Sequence, residues 1–181
     1  SVGYDVVGNQ VSITDARGNT IDITFDKNNR PIEEKQPSTA VFSIAGGEQT
    51  LRPTNTTVYD SHGNVVQSLD ANGDKTTRYY DGNDNLIAEI NGDNVLREFT
   101  VDATGAQTSS TLYMTRLAAT AHDPAVKPGA PAEERRTITS VFDGAGRLVS
   151  TTYPQIQATS LSGTNTGSPT AGATAITPVE Q

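Results

Sequence analysis

An aromatic residue or Val followed directly by Asp recurs at Tyr4-Asp5, Phe25-Asp26, Tyr59-Asp60, Tyr80-Asp81, Val101-Asp102 and Phe142-Asp143, with Asp-to-Asp steps of 21, 34, 21, 21 and 41 residues. A repeated step constrains a fold more than any local propensity, because each unit of such a chain buries its apolar surface only by stacking on its neighbours. A second, weaker signal of the same kind lies about halfway through three units, at Asp15-Ala16-Arg17-Gly18-Asn19, Asp70-Ala71-Asn72-Gly73-Asp74 and Asn91-Gly92-Asp93-Asn94.

These sites have the chemistry of chain reversal. Asp at the first position can accept a hydrogen bond from the backbone two residues on, and Gly or Asn three residues later tolerates positive φ. Two turns per unit make the intervening segments short antiparallel strands. Their side chains agree: Ile21, Ile23 and Phe25 alternate with Asp22 and Thr24, and Leu86, Ala88 and Ile90 alternate with Ile87 and Glu89. Val95, Arg97, Phe99 and Val101 alternate less cleanly with Leu96, Glu98 and Thr100, the pattern of a strand covered in part on both faces. The expected fold is all-β: tandem antiparallel hairpins of about 21 residues in a curled or spiralling sheet, open at both ends.

The irregular steps place insertions at 37–53, with a strand Val41-Phe42-Ser43-Ile44 and a Gly46-Gly47 turn, and at 114–136, rich in Ala and Pro. Leu117 to Ala121 is the one Ala-rich patch with the composition of a helical turn, and Thr120 and the closely following Pro124, Pro128 and Pro131 weigh against one. The array is expected to occupy 1–153. The Ser/Thr/Gly/Pro tract 154–181 reads as a loop or linker, and its end, Ile176 to Gln181, as the run-up to a further repeat.

Composition removes several classes of function. A net charge of −8 and no basic cluster longer than Arg135-Arg136 argue against nucleic acid as a partner. The absence of Cys excludes disulfides, thiolate zinc sites and thiol nucleophiles, and is compatible with a secreted bacterial protein. No run reaches the ~20 apolar residues that a membrane span needs. Ser1-Val2-Gly3-Tyr4 has neither an initiator Met nor a signal pattern, so a targeting segment, if one is used, is expected outside these residues.

Tyr59-Asp60-Ser61-His62-Gly63-Asn64-Val65, Tyr80-Asp81 and above all Phe142-Asp143-Gly144-Ala145-Gly146-Arg147-Leu148 resemble the tyrosine-aspartate (YD) or Rhs repeat, over the stretch from Tyr4 to about Tyr153. The resemblance implies β-hairpins joined edge to edge in a sheet that spirals into a hollow shell, as in bacterial Rhs effectors, Tc toxin complexes and teneurins. It further implies a piece of a shell that encloses or displays a C-terminal toxin domain, in a secreted or cell-surface bacterial protein. The motif positions are Tyr4, Asp5, Phe25, Asp26, Tyr59, Asp60, Gly63, Tyr80, Asp81, Asp102, Phe142, Asp143, Gly146 and Arg147. Departures are Phe25 and Val101 in place of Tyr, and Asn29 and Asp84 in place of Gly. Asp123-Pro124-Ala125-Val126 lacks the family's self-cleaving context, so autoproteolysis is not carried over.

Candidate chemistry is sparse. Asp70, Asn72 and Asp74 present oxygens at alternate positions, as a Ca²⁺ loop does, but Gly73 is fourth rather than sixth and no bidentate Glu follows at the expected distance. Asp81, Asn83 and Asn85 form a weaker copy. Tyr59 and Tyr80 could stack on sugars, but one aromatic per unit at a fixed place beside a turn is the stronger signature of a packing ladder. His62 and His122 read as surface residues, and the remaining carboxylates show no defensible glycosidase pair, Glu48, Asp123, Glu133 and Glu134 included. Asn55-Thr56-Thr57 fits a glycosylation acceptor, which carries little weight in a bacterial protein.

No enzymatic activity and no cofactor are therefore expected beyond the Ca²⁺ candidate. Because neither end shows a cap, a charged edge or a Pro-protected strand, the expected partners are the rest of a parent polypeptide or other copies, met through open sheet edges. An enclosed toxin domain or surface glycans complete the partner set. An adhesin-type module contacting glycans or Ca²⁺, or a polymerising surface filament, is the alternative reading.

Overall fold

The computed structural model describes residues 1–43, 46–132, 135–154, 156–162 and 170–176. Twelve strands form one sheet in which hydrogen-bonded neighbours are antiparallel: β1 Val2–Tyr4, β2 Gln10–Thr14, β3 Thr20–Phe25, β4 Pro31–Lys35, β7 Thr54–Tyr59, β8 Val65–Leu69, β9 Lys75–Tyr80, β10 Leu86–Ile90, β11 Val95–Val101, β12 Gln107–Arg116, β13 Arg135–Phe142 and β14 Leu148–Thr152. Their order in the sheet is their order in the chain. Two further hairpins, β5 Thr39–Ser43 with β6 Gly47–Leu51 and β15 Ile156–Ser162 with β16 Thr170–Ile176, form separate two-stranded sheets. The sheet is curled and open, with β1 and β14 as its outermost strands.

Strand direction sorts the connections into two rows. The turns beginning at Asp5, Asp26, Asp60, Asp81, Asp102 and Asp143 all lie along one end of the strands. The turns at Asp15, Asp70 and Asn91 lie along the other end, together with the β5–β6 hairpin and the excursion after β12. Both long steps in the repeat therefore come from material added at one end. The uniform row keeps its spacing because strands sit ~4.8 Å apart whatever the chain does at the far end.

Each turn of the uniform row is followed by a register shift. Tyr59 pairs with Val65 but Val58 with Gln67; Tyr80 pairs with Leu86 but Tyr79 with Ala88; Phe142 pairs with Leu148 but Val141 with Ser150. The extra residue, Val66, Ile87 or Val149, sits one place into the returning strand, and Val11, Ile32 and Thr108 occupy the same position in the other units. A bulge bends and twists the strand that carries it, so one per hairpin curves the sheet steadily. It also explains why two apolar residues stand side by side in Val65-Val66, Leu86-Ile87 and Leu148-Val149.

The excursion after β12 is narrower than the 114–136 expected from sequence. Met114 to Arg116 complete the ten residues of β12, and β13 begins at Arg135. Between them a 3-10 turn, Ala119–Ala121, starts a strap that lies across β8 to β11, as Gln67, Thr77, Tyr79 and Asn94 all bond to it. Beneath it Tyr79, Ala88, Ile90, Leu96 and Tyr113 form the buried core, with Thr77 fully buried and Ile87, Leu117 and Ala121 packed alongside. Elsewhere among the described residues the sheet is one layer thick, and its side chains are half-buried or exposed. The tract after Tyr153, expected to be a loop or linker, contains the β15–β16 hairpin. Ile44, Glu133, Glu134 and the end of the chain from 177 fall outside the described residues.

Candidate functional site

The repeated element is the turn. At each of nine positions, namely Asp5, Asp15, Asp26, Asp60, Asp70, Asp81, Asn91, Asp102 and Asp143, the first residue's carbonyl accepts from the amide three on, and its own amide donates to the carbonyl four on. Its Oδ1 accepts from the amides two and four residues on, as Asp5 does from Val7 at 3.0 Å and Asn9 at 2.8 Å, and Asp143 from Ala145 and Arg147, both at 2.9 Å. The fourth residue has positive φ in all nine: Gly8, Gly18, Asn29, Gly63, Gly73, Asp84, Asn94, Gly105 and Gly146. Asn29 and Asp84, which stand where the family pattern has Gly, adopt that backbone at φ 59° and 63°, as short polar residues can.

In six of these turns the second carboxylate oxygen is held by the fifth residue. Asn9, Asn19, Asn64 and Asn85 donate Nδ2 to it, and Arg30 and Arg147 donate Nε. These bonds favour the ionised form. Asp15, Asp81 and Asp102 are held below the usual carboxylate range first by a side-chain hydrogen bond, from Asn19, Asn85 and Thr104. Asp26 and Asp143 are lowered first by the amides of Arg30 and Arg147. For Asp5 and Asp60, desolvation pushes upward as the largest single effect, and the combined hydrogen bonds outweigh it.

Neighbouring turns of the uniform row are also joined. Asn9 Nδ2 donates to Asn29 Oδ1 at 2.9 Å, Arg30 Nη1 to the Asp60 carbonyl at 3.1 Å, and Asn64 Nδ2 to Asp84 Oδ1 at 2.7 Å. His62 Nδ1 pairs with the same Asp84 oxygen at 2.8 Å, which raises the imidazole above its ordinary value, helped by the charges of Asp84 and Asp60. Arg30 also lies over the Tyr59 ring, 4.5 Å from its centroid. Tyr4, Phe25, Tyr59, Tyr80, Val101 and Phe142 share one face of the sheet by register, opposite the strap. Tyr80 Oη donates to the Val65 carbonyl at 3.1 Å, and Tyr4, at the edge strand, is 62% exposed.

The calcium candidate is used in the same way. Asp70 Oδ1 accepts from the amides of Asn72 and Asp74, both at 2.9 Å. Asp74 packs against the next turn on its row so closely that a Cβ at Gly92 would lie 2.8 Å from the Asp74 Cβ. Among the described residues no group of three or more His, Asp or Glu side chains is arranged to hold a metal ion. An open cleft of about 330 Å³ lies where the Asp60 and Asp81 turns meet the strap. Its charged groups are already matched, His62 to Asp84 and Lys127 to Glu98.

His122 is not the surface residue that its Pro-rich setting implies. It is half-buried, with Nδ1 2.9 Å from Thr77 Oγ1 and Nε2 3.0 Å from Asn94 Oδ1, while its carbonyl accepts from Gln67 Nε2 at 3.1 Å. An amide oxygen can only accept, so Nε2 carries the proton and Nδ1 accepts from the buried Thr77 hydroxyl in the neutral ring. Desolvation lowers the His122 pKa, with the nearby Lys75 charge adding to it. Tyr79 Oη, donating towards the carbonyls of Ala121 and Asp123 at 3.2 and 2.9 Å, fixes the strap beside it. The sequence signal that could have found it is the Ala-rich patch Leu117 to Ala121 just before Asp123-Pro124.

Residues 59–95 match the RHS Repeat family. That stretch covers the Asp60, Asp70, Asp81 and Asn91 turns. No curated protein matches the chain. Solved structures similar to it include the Photorhabdus luminescens Tc holotoxin pore with a mutated TccC3, at 15% identity and TM-score 0.40, covering 84% of this chain and 9% of that one. TcdB2-TccC3 without its hypervariable C-terminal region is similar at 14% identity and TM-score 0.25, covering 88% of this chain and 14% of that one. The chain thus spans about a tenth of the length of these structures.

Proposed function

We propose that this chain is a structural segment of a large secreted or surface bacterial protein, forming part of a β shell that encloses or displays a C-terminal toxin domain. The observation that carries the reading is the uniform row of turns, in which Asp5, Asp26, Asp60, Asp81 and Asp143 each spend both carboxylate oxygens on their own hairpin. Polar groups satisfied in this way build a wall and leave no nucleophile or base poised for chemistry. Register shifts in every unit give the wall its curvature, and open edges at β1 and β14 let it continue. The array 1–153 acts as wall. The strap and the β5–β6 hairpin are local additions to it, and 154–181 connects onward. No enzymatic activity is assigned to these residues.

Electron microscopy of the full polypeptide tests the reading. A hollow shell with these hairpins in its wall and density inside supports it. A compact solid domain, or an extended fibre with no lumen, refutes it, the latter in favour of the filament alternative.

A further inference from the structure

Along the uniform row, the fifth residue of a turn fills the joint with the next turn. Asn9 donates to Asn29, Arg30 to the Asp60 carbonyl and Asn64 to Asp84. Asn85 does so by contact: a Cβ at Gly105 would lie 3.1 Å from its Oδ1, as one at Gly63 would lie 3.8 Å from Arg30 Nη1. The joint between the Asp102 and Asp143 turns differs. Its fifth residue is Ala106, with no polar group to send forward, and a Cβ at Gly146 would meet nothing within 4 Å.

The Asp102 carboxylate differs with it. Oδ1 accepts from the Thr104 amide and hydroxyl at 2.8 and 2.6 Å and from the Ala106 amide at 3.1 Å, while among the described residues no donor meets Oδ2. In every other turn of the row the side chain of the fifth residue holds that oxygen. Asp26 shows what fits there. Arg30 sets Nε and Nη2 on Asp26 Oδ2, both at 2.8 Å, sends Nη1 to the Asp60 carbonyl at 3.1 Å and lays its plane over Tyr59. Arg147 repeats the carboxylate half of this arrangement on Asp143 at 2.8 Å. The Asp102 joint offers the same set: Asp102 Oδ2, the Asp143 carbonyl and, in the position of Tyr59, the half-buried ring of Phe142. A carboxylate, a carbonyl and an aromatic face together suit a flat, forked cation better than a compact ammonium.

We propose that the joint between the Asp102 and Asp143 turns is a receptor for one arginine side chain presented by a bound polypeptide, which takes there the place that Arg30 takes between Asp26 and Asp60. The net charge of −8 favours a basic partner segment and speeds its encounter. The inference needs only the turn row, whatever larger shape the wall takes.

Titration of the isotope-labelled full chain with N-acetyl-arginine amide, followed by NMR, tests it. Saturable shifts are expected at the amides of Thr104, Ala106 and Gly144, with N-acetyl-lysine amide binding about tenfold more weakly. Asp102→Asn keeps the turn, since Asn91 builds the same one, and should weaken the arginine probe about tenfold. Ala106→Arg should fill the joint from within: it abolishes binding and raises the thermal midpoint, a gain lost when Asp102→Asn is added. No saturable shift in the wild type, equal affinity for the two probes, or binding unchanged by either substitution overturns the inference. None of these outcomes touches the shell reading, which electron microscopy decides.

Discussion

Arg30 stands over the Tyr59 ring at 4.5 Å while its three guanidinium nitrogens bond Asp26 Oδ2 and the Asp60 carbonyl. One side chain thus ties two consecutive turns and the aromatic between them. Arg30→Ala is expected to cost about 1 kcal/mol in urea unfolding, near the upper range for a partly exposed ion pair with cation–π support. Arg30→Lys should recover little of that loss, because an ammonium cannot bridge two acceptors while presenting a flat face to the ring. Equal stability of the Lys variant and the wild type would show that the geometry of the fork is irrelevant.

Acid should weaken the array through its turn carboxylates. Asp5, Asp15, Asp26, Asp60, Asp81, Asp102 and Asp143 are all lowered from 3.8 in the fold. The unfolded chain therefore binds more protons over the window just below that value. Their contribution is complete above about pH 3.8 and is lost as pH falls through the folded-state values. Solvent exposure and salt screen the effect. Urea midpoints measured from pH 6 down to pH 3 should fall, and Asp60→Asn should fall less steeply than wild type because it titrates one carboxylate fewer. A midpoint that rises as pH falls would refute this assignment.

The strap carries a separate pH dependence. His122 is lowered in the fold, so the unfolded state takes up its proton first as pH drops from about 6.5. Docking of the strap is fully supported above that pH and is lost as pH falls through the lower folded value. Protonation puts a second N–H on the ring, facing Thr77 Oγ1, whose hydroxyl proton then needs another acceptor. The groups around the ring are Lys75, Thr77 and Tyr79 on β9, Asn94 beside β11, Gln67 on β8 and Asp123 on the strap. The protection of the Leu117 amide, whose N–H donates to the Asn94 carbonyl at 2.8 Å, should fall as pH drops from 6.5 to 5, giving exchange in excess of what the slowing intrinsic rate allows. In His122→Gln the same amide should show no such excess.

Millimolar Ca²⁺ should leave the thermal midpoint unchanged and give no binding heat, because Asp70 Oδ1 is occupied by the amides of Asn72 and Asp74. Saturable heat that disappears in Asp70→Ala would restore the cation reading of this loop.

What could be read from the sequence follows from what is local. An Asp and a Gly or Asn three residues apart specify their own turn, so Asp60-Gly63 and Asp143-Gly146 announce themselves. Their spacing of strands fixes an antiparallel sheet. The curvature was hidden because Ile87 and Val66 look like breaks in a period of two, and only the pairing of Tyr79 with Ala88 reveals a bulge. The site of the core was hidden for a different reason. Ala121, His122 and Asp123 are polar or small, and what they cover, Thr77 and Tyr79, lies more than forty residues earlier. The tract Ile156–Ser162 and Thr170–Ile176 is too poor in large apolar residues to signal strands, although its two segments pair in register.

Turns define a one-layer array, and among the described residues one local core, beneath the strap, secures it. Residue-resolved amide hydrogen exchange on the intact chain tests this most directly. The slowest amides should lie in β9 to β12, around Tyr79, Ala88, Ile90, Leu96 and Tyr113, with protection declining towards β1 and β14. Protection spread evenly over all twelve strands, or greatest in the outermost ones, would contradict it.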